Sequence, residues 1–245
     1  MKNIQQIEYI ESQKELLTNH SALLESTRGQ VKLYMHKLIS MHSWDIDKDI
    51  RINILHQIDG ILIPHVMNLL FNIQQVVNHS FQIQHFKTDT FKDADRIYHA
   101  YIKFNKNGLI YNLSAIVERY LRIIAKELDS TIDISKGIFD IRKKIFEIVC
   151  ISKTGNEWNA LNLLTAIRNT IHNNGIYVNP SLTKLDDSFS YRNSIYSFVN
   201  NTPHNYATYE NLNDIINDIL SLVKIINNNQ VIVTKESFID DCIYL

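Results

Sequence analysis

The chain has 245 residues, 45% of them hydrophobic and 21% charged, with a formal net charge of −1. This length and apolar content suffice for a sizeable core, and the near-zero charge excludes a protein that coats nucleic acid through bulk charge, while leaving room for a local basic site. Only six Gly and three Pro are present, so sharp turns are few and long helices are favoured.

The N-terminal stretch lacks an apolar h-region and a small-residue cleavage site, so no signal peptide is expected. Residues 4 to 42 are predicted to be one long helix, or two meeting near Arg28-Gly29, with Ile7, Ile10, Leu16, Leu17, Leu23 and Leu24 at roughly helical spacing. A second helix is predicted from about Asp47 to Ile58, with Gly60 as a break. A third follows from near Pro64 to about Asn78, since proline is tolerated at a first helical turn. The apolar run from Ile61 to Val77 is interrupted by Pro64, His65, Asn68, Asn72, Gln74 and Gln75. A membrane span needs roughly 20 mostly apolar residues, so none is expected there.

His79 to Asp93 is read as a polar connection. A short helix is expected over 94–106, ended by Asn107-Gly108, and then a strongly amphipathic one from Leu109 to Leu128, with a stripe through Leu109, Leu113, Ile116, Val117, Tyr120, Leu121, Ile124 and Leu128. Ser135 is a candidate cap for the next helix. Another is predicted from Asn156 to Asn173, stopped by Asn173-Asn174-Gly175, where glycine supplies the left-handed residue. Ile176–Val178 and Tyr191–Val199 are rich in aromatic and β-branched residues and are read as short strands, a hairpin. Thr208 should cap a final helix with the stripe Leu212, Ile215, Ile216, Ile219, Leu222, Val223 and Ile226. The tail from Gln230 to Leu245 is expected to be a strand or a packed extension. The fold class is therefore mainly α, a helical bundle with a small β-hairpin insert before the last helix. The expected organisation is an N-terminal helical region, 1–90, packed on a helical domain, 91–245.

The sharpest chemical signal is Arg168-Asn169-Thr170-Ile171-His172. Positions i and i+4 share a helix face, about 5–6 Å apart at Cβ. A core face through Ala160, Leu163, Leu164, Ile167 and Ile171 places Arg168 and His172 together at its edge, with Thr165 beside them and Asn169 turned toward solvent. Histidine exchanges protons near neutral pH, and arginine grips phosphate and stabilises charge developing on phosphorus. RNA carries its own nucleophile, the 2′-hydroxyl, so this pair suits cleavage of RNA without a metal. A plainer reading sets His172 at a helix C-terminus that favours an imidazolium, with Arg168 paired to a carboxylate.

The wider string, Ala166 to Gly175, resembles the last-helix motif of the HEPN superfamily of prokaryotic helical proteins, in which an Arg followed by a polar residue precedes a His. Three residues separate Arg168 from His172, a shorter gap than is usual in that motif. The resemblance covers residues 94 to 230. It implies a metal-independent RNA endonuclease, a toxin or phage-defence effector, working as a homodimer on RNA, with an antitoxin or other protein partner. Arg168 would stabilise phosphate, His172 would transfer the proton and Asn169 would support them. It also leaves open a non-catalytic helical interaction module that binds a protein or RNA. No cofactor is called for.

Other features are weaker. Arg119, Arg122 and Lys126 form a basic stripe, diluted by Glu118 and Glu127, and Arg142-Lys143-Lys144 forms a second cluster. Either suits an RNA backbone, and each is also an ordinary solvated face. The ten histidines include His36/His42 and His79/His85, spacings that fit no metal site. Trp44 and Trp158 are expected in the core. Cys150 and Cys242 match no metal or redox spacing, so a reducing, cytoplasmic setting is expected.

Overall fold

A computed structural model describes residues 2–88, 90–179 and 186–240. Cys242, the His79 side chain and the last five residues of the expected C-terminal extension lie outside the described residues. The fold is mainly α: helices α1 (Lys2–Met41), α2 (Ile50–Phe71), α3 (His79–Phe86), α4 (Phe91–Leu128), α5 (Ile138–Ile148) and α6 (Asn156–His172), then a hairpin of strands β1 (Asp187–Tyr191) and β2 (Ser194–Phe198), then α7 (Tyr209–Asn227) and the short α8 (Gln230–Val233). The strands pair antiparallel, with Asp187 opposite Phe198 and Tyr191 opposite Ser194. One buried core runs through α1, α2, α4, α5, α6 and α7 and reaches Phe238 beyond α8.

The long helices come from burial overriding local breakers. α1 is unbroken at Arg28-Gly29. Its buried line takes every seventh residue, Leu17, Leu24, Val31 and Leu38, filled in by His20, Thr27, Tyr34 and Met35, while Leu16 and Leu23 point outward. In each Leu-Leu pair the sequence pattern did not choose the inner member. α2 runs through Gly60 and Pro64 where a break was expected. An interior proline costs roughly 3 kcal/mol, but Ile54, Leu55, Ile58, Leu62, Val66 and Leu69 are buried on both sides of it, and each such side chain returns about 1.5–3 kcal/mol. A π-helical turn, Asn72–Val76, ends the rod. By length and composition alone, Ile50–Val76 is long and apolar enough to cross a membrane. Here it also buries Arg51, Asn53, His65 and Asn72.

The expected break at Asn107-Gly108 is absent as well. α4 is a single 38-residue helix, because Asn105, Leu109 and Ile110 are buried on either side of it. The expected connection at 79–93 contains α3, capped by Asn78, whose side-chain oxygen accepts from the amides of Ser80 and Phe81 at 3.0 and 3.3 Å. Ser135 does not cap α5. Its hydroxyl donates to Asp133 at 2.6 Å, and Gly137 occupies the cap position. Ile176–Val178 is not a strand but makes one isolated bridge to Pro203. The C-terminal stop of α6 forms as expected. Asn174 and Gly175 adopt positive φ (58° and 91°), and the Gly175 amide donates to the Thr170 carbonyl at 2.8 Å. Thr208 caps α7, and its whole predicted stripe is buried. The hairpin is held on α7 by Tyr191 Oη to Asp218 (2.7 Å), Arg192 to Asp218 (3.0 Å) and Tyr196 Oη to Asn211 (2.6 Å).

One charged pair lies inside this core. Arg51 and Asp49 are fully buried and bonded at 2.5 and 2.8 Å. The Arg51 guanidinium stacks 3.6 Å from the Trp44 ring centroid and 4.6 Å from that of Phe238. It donates to the carbonyls of Ile232 (2.9 Å) and Lys235 (3.1 Å). The strap after α8 is tied on by the Ile50 amide to the Phe238 carbonyl (2.9 Å) and the Asp240 amide to the Lys48 carbonyl (2.8 Å). Removing one partner of a buried pair leaves the other charge uncompensated, so Arg51→Met is expected to cost about 3–5 kcal/mol in urea denaturation. A loss below 1 kcal/mol would show that the pair is dispensable.

A second buried polar group is neutral. His20 packs on Tyr209 (4.1 Å between ring centroids) and edge-on to His65 (5.8 Å), and neither His20 nitrogen has a hydrogen-bond partner among the described residues. Burial pushes His20 down to about 3 and His65 down to about 4. Unfolded histidine titrates near 6.5, so between pH 6.5 and 4 the unfolded chain binds more protons than the folded one. Stability is therefore present above pH 6.5 and falls on acidification, by up to about 1.4 kcal/mol per pH unit per histidine. The His20→Leu variant should lose about half of that slope. Urea midpoints that do not move between pH 6.5 and 4.5 would contradict this account.

Candidate functional site

α6 and α4 lie side by side, and their facing polar edges make an open groove of about 530 Å³. Its walls include Glu118, Arg119, Arg122 and Lys126 of α4, Arg168 of α6, and Asp240 of the C-terminal strap. α4 supplies its four side chains because its opposite face, through Val117, Tyr120, Leu121 and Ile124, is buried. α6 is fixed in the same way by Trp158, Leu161, Leu164 and Ile167, and Glu157 in its first turn accepts from Ser221 of α7 at 2.9 Å.

The structure brings Arg168 into this groove, with 40% of its side chain exposed. Its Nη1 lies 3.4 Å from Glu118 Oε2, so the expected carboxylate partner exists. The other Glu118 oxygen accepts from Arg122 Nη2 at 2.6 Å and Nε at 3.1 Å. One carboxylate thus bridges two guanidinium groups from different helices. Arg122 also donates to the Lys136 carbonyl (3.0 Å) and the Ile134 carbonyl. Arg119 is clamped by the buried Asp240, with Nε to Oδ1 at 3.0 Å. Lys126 makes no hydrogen bond or ion pair among the described residues, and Glu127 also lines the groove. Four cations face three carboxylates, so the groove is only weakly positive.

His172 is exposed in the last turn of α6, one turn beyond Arg168. It makes no side-chain hydrogen bond or ion pair among the described residues, and it stands beyond the groove's lining. Asn169, expected to face solvent, is half-buried. Its carbonyl accepts from the Asn173 amide (3.1 Å) and side chain (2.8 Å), but it does not line the groove. Thr165 is beside Arg168 as expected, and both line a small void of about 30 Å³ between α4, α5 and α6. Its hydroxyl bonds back to the Leu161 carbonyl at 2.7 Å.

The second basic cluster is not a solvated face throughout. Arg142 is buried, its guanidinium 4.7 and 4.4 Å from the ring centroids of Phe139 and Trp158 and bonded to Asn162. Burial lowers its pKa to about 10, so it stays charged at neutral pH and serves packing. The residues that sequence reasoning missed are Glu118 as a bridge and Asp240 as a clamp. The Glu118–Arg122 spacing of four residues was a legible signal. Asp240 lies 121 residues from Arg119 and had none.

Comparison of the chain with protein-family models, with curated proteins and with solved structures finds no match.

The bridge itself is measurable. Glu118→Gln leaves Arg122 and Arg168 facing each other without the carboxylate. Because all three groups are partly exposed, the expected loss is about 1 kcal/mol or less at low salt, and smaller in 1 M salt, where charges are screened beyond about 3 Å. Equal losses at both salt concentrations would mean that the bridge acts through packing.

Proposed function

We propose that this protein is a HEPN-like, metal-independent RNA endonuclease whose phosphate-stabilising residue is Arg168 and whose proton-transfer residue is His172. The observation that carries this reading is the placement of Arg168 on the wall of an open groove among Arg119, Arg122 and Lys126, with an exposed imidazole one helical turn away. A phosphate entering the groove would compete with Glu118 for the Arg168 guanidinium. His172 would take the proton of the 2′-hydroxyl as its oxygen attacks phosphorus, and the bond to the 5′-oxygen would break, leaving a 2′,3′-cyclic phosphate. The 5′-oxygen needs a proton in turn, and the His172 of a second copy, in a homodimer with facing α6 helices, would supply it. Asn169, half-buried and outside the groove, is assigned a supporting place in α6 rather than contact with RNA. The setting proposed is cytoplasmic, as a toxin or phage-defence effector held in check by a protein partner.

A second reading has its own observation. Glu118 already holds Arg168 and Arg122, and Asp240 holds Arg119, an arrangement suited to a non-catalytic module that binds a protein or RNA.

The test is incubation of the purified protein with RNA in excess chelator. Cleavage with 2′,3′-cyclic phosphate ends is expected, and His172→Ala should lower it by about 10²–10⁴-fold without moving the thermal melt. Cleavage that survives His172→Ala, or that depends on added magnesium, would remove the proposal. RNA retention without cleavage would favour the binding module.

A further inference from the structure

Around α6 from the Arg168 groove lies a larger cavity, about 670 Å³, enclosed by α4, the end of α6 and the loop from β2 to α7. Its size is that of a small-molecule site. Its composition is one-sided. Among the described residues, the lining holds two lysines and two histidines and no carboxylate, unlike the acid-balanced groove on the other side of the helix. His99, Lys103 and Lys106 come from successive turns of α4 and point the same way. Of these, only His99 has a carboxylate partner among the described residues, Asp95 at 3.4 Å.

Lys106 stands out. It is half-buried, and it makes no ion pair or hydrogen bond among the described residues. Its ammonium lies over the Tyr209 ring, 5.3 Å from the centroid. A desolvated lysine normally finds a counter-charge, and burial lowers the pKa of this one. Lys103, one turn back, is exposed and likewise unpaired among the described residues. The facing wall is aromatic and held in place: the His204 and Tyr206 rings stack 5.5 Å apart at 11°, Phe198 meets Tyr206 edge-on at 5.0 Å, and Tyr206 Oη donates to the Ser197 carbonyl at 3.1 Å. His204 Nε2 accepts from the Val199 amide at 3.0 Å. At the floor, the Thr170 carbonyl is occupied by the Gly175 amide at 2.8 Å, so the negative end of α6 does not present that oxygen bare.

We propose that this cavity binds a nucleoside phosphate, its phosphate between Lys103 and Lys106 and its base against the Tyr206–His204 wall. The charge pattern calls for an anion, and the fixed aromatic wall calls for a flat ring beside it. Free nucleotide and the terminal nucleotide of an RNA share this chemistry. The site contains neither Arg168 nor His172, so it does not rest on the nuclease reading.

Calorimetric titration of the full chain with the four 5′-nucleoside diphosphates, their nucleosides, inorganic phosphate and a short 5′-phosphorylated oligoribonucleotide tests this. At least one phosphorylated probe is expected to bind with a Kd below about 100 µM, and nucleosides and phosphate alone about tenfold or more weaker. Lys106→Met and Lys103→Ala should each weaken binding about fivefold or more. Binding by the oligonucleotide alone, weakened by Lys103→Ala, would assign the site to an RNA end; binding by free diphosphates would assign it to a nucleotide. Because Lys106→Met alters a half-buried position, the exposed Lys103→Ala carries the test if that variant misfolds. Failure of every phosphorylated probe to bind, or affinity undiminished in the folded lysine variants, would overturn the proposal.

Discussion

The buried ion pair of Arg51 and Asp49 ties the start of α2 to the segment that follows α8. Two charges without water are stable only when every donor and acceptor is used, and here the guanidinium is spent on Asp49, on backbone carbonyls of the 232–236 turn and on the faces of Trp44 and Phe238. Asn227 Nδ2 adds a bond to the Arg51 carbonyl at 2.9 Å, and Tyr120 Oη bonds Asn227 at 2.7 Å. The beginning of α2, the C-terminal part of α4 and the end of α7 thus meet at one polar knot. From it the C-terminal strap runs on to Asp240, which holds Arg119 in the groove wall. A groove residue of α4 is positioned by a contact whose anchor is in α2.

That dependence sets the character of the groove. Arg119, Arg122 and Arg168 are cations, but each is fixed by an acid, so their positions are defined before any ligand arrives. Preorganisation of this kind lowers the cost of ordering long side chains on binding, at the expense of competition from the resident carboxylate. Glu118 is the pivot, because it serves α4 and α6 at once. On the opposite flank of α6 the balance is reversed: Lys103 and Lys106 have no carboxylate partner among the described residues, and the cavity there is bounded by rings fixed through Val199 and Ser197. One helix therefore separates a charge-compensated groove from an uncompensated cationic cavity. The turn that ends it, Asn173-Asn174-Gly175, shapes both the exposure of His172 and the floor of that cavity.

The amphipathic stripes of α4 and α7, the stop of α6 at Gly175 and the Thr208 cap could be read from residue order, since they depend on neighbours within four residues. So could the adjacency of Arg168 and His172, which helical periodicity alone sets. What could not be read depended on distant partners. Pro64 and Asn107-Gly108 are local breakers that remain helical because core on both sides outweighs their cost. Leu17 rather than Leu16 is the buried member of its pair, which packing against the core decides. Arg142 looked like part of a surface cluster, yet Trp158 and Phe139, from a neighbouring helix and its own, enclose it. Asp240 meets Arg119, and Lys106 lacks a counter-charge among the described residues, only through packing of segments far apart in the chain. Residue order determined the helices and their polar edges because hydrogen bonding and side-chain period are local, whereas tertiary structure decided which charges are paired, because that depends on which edges are brought face to face.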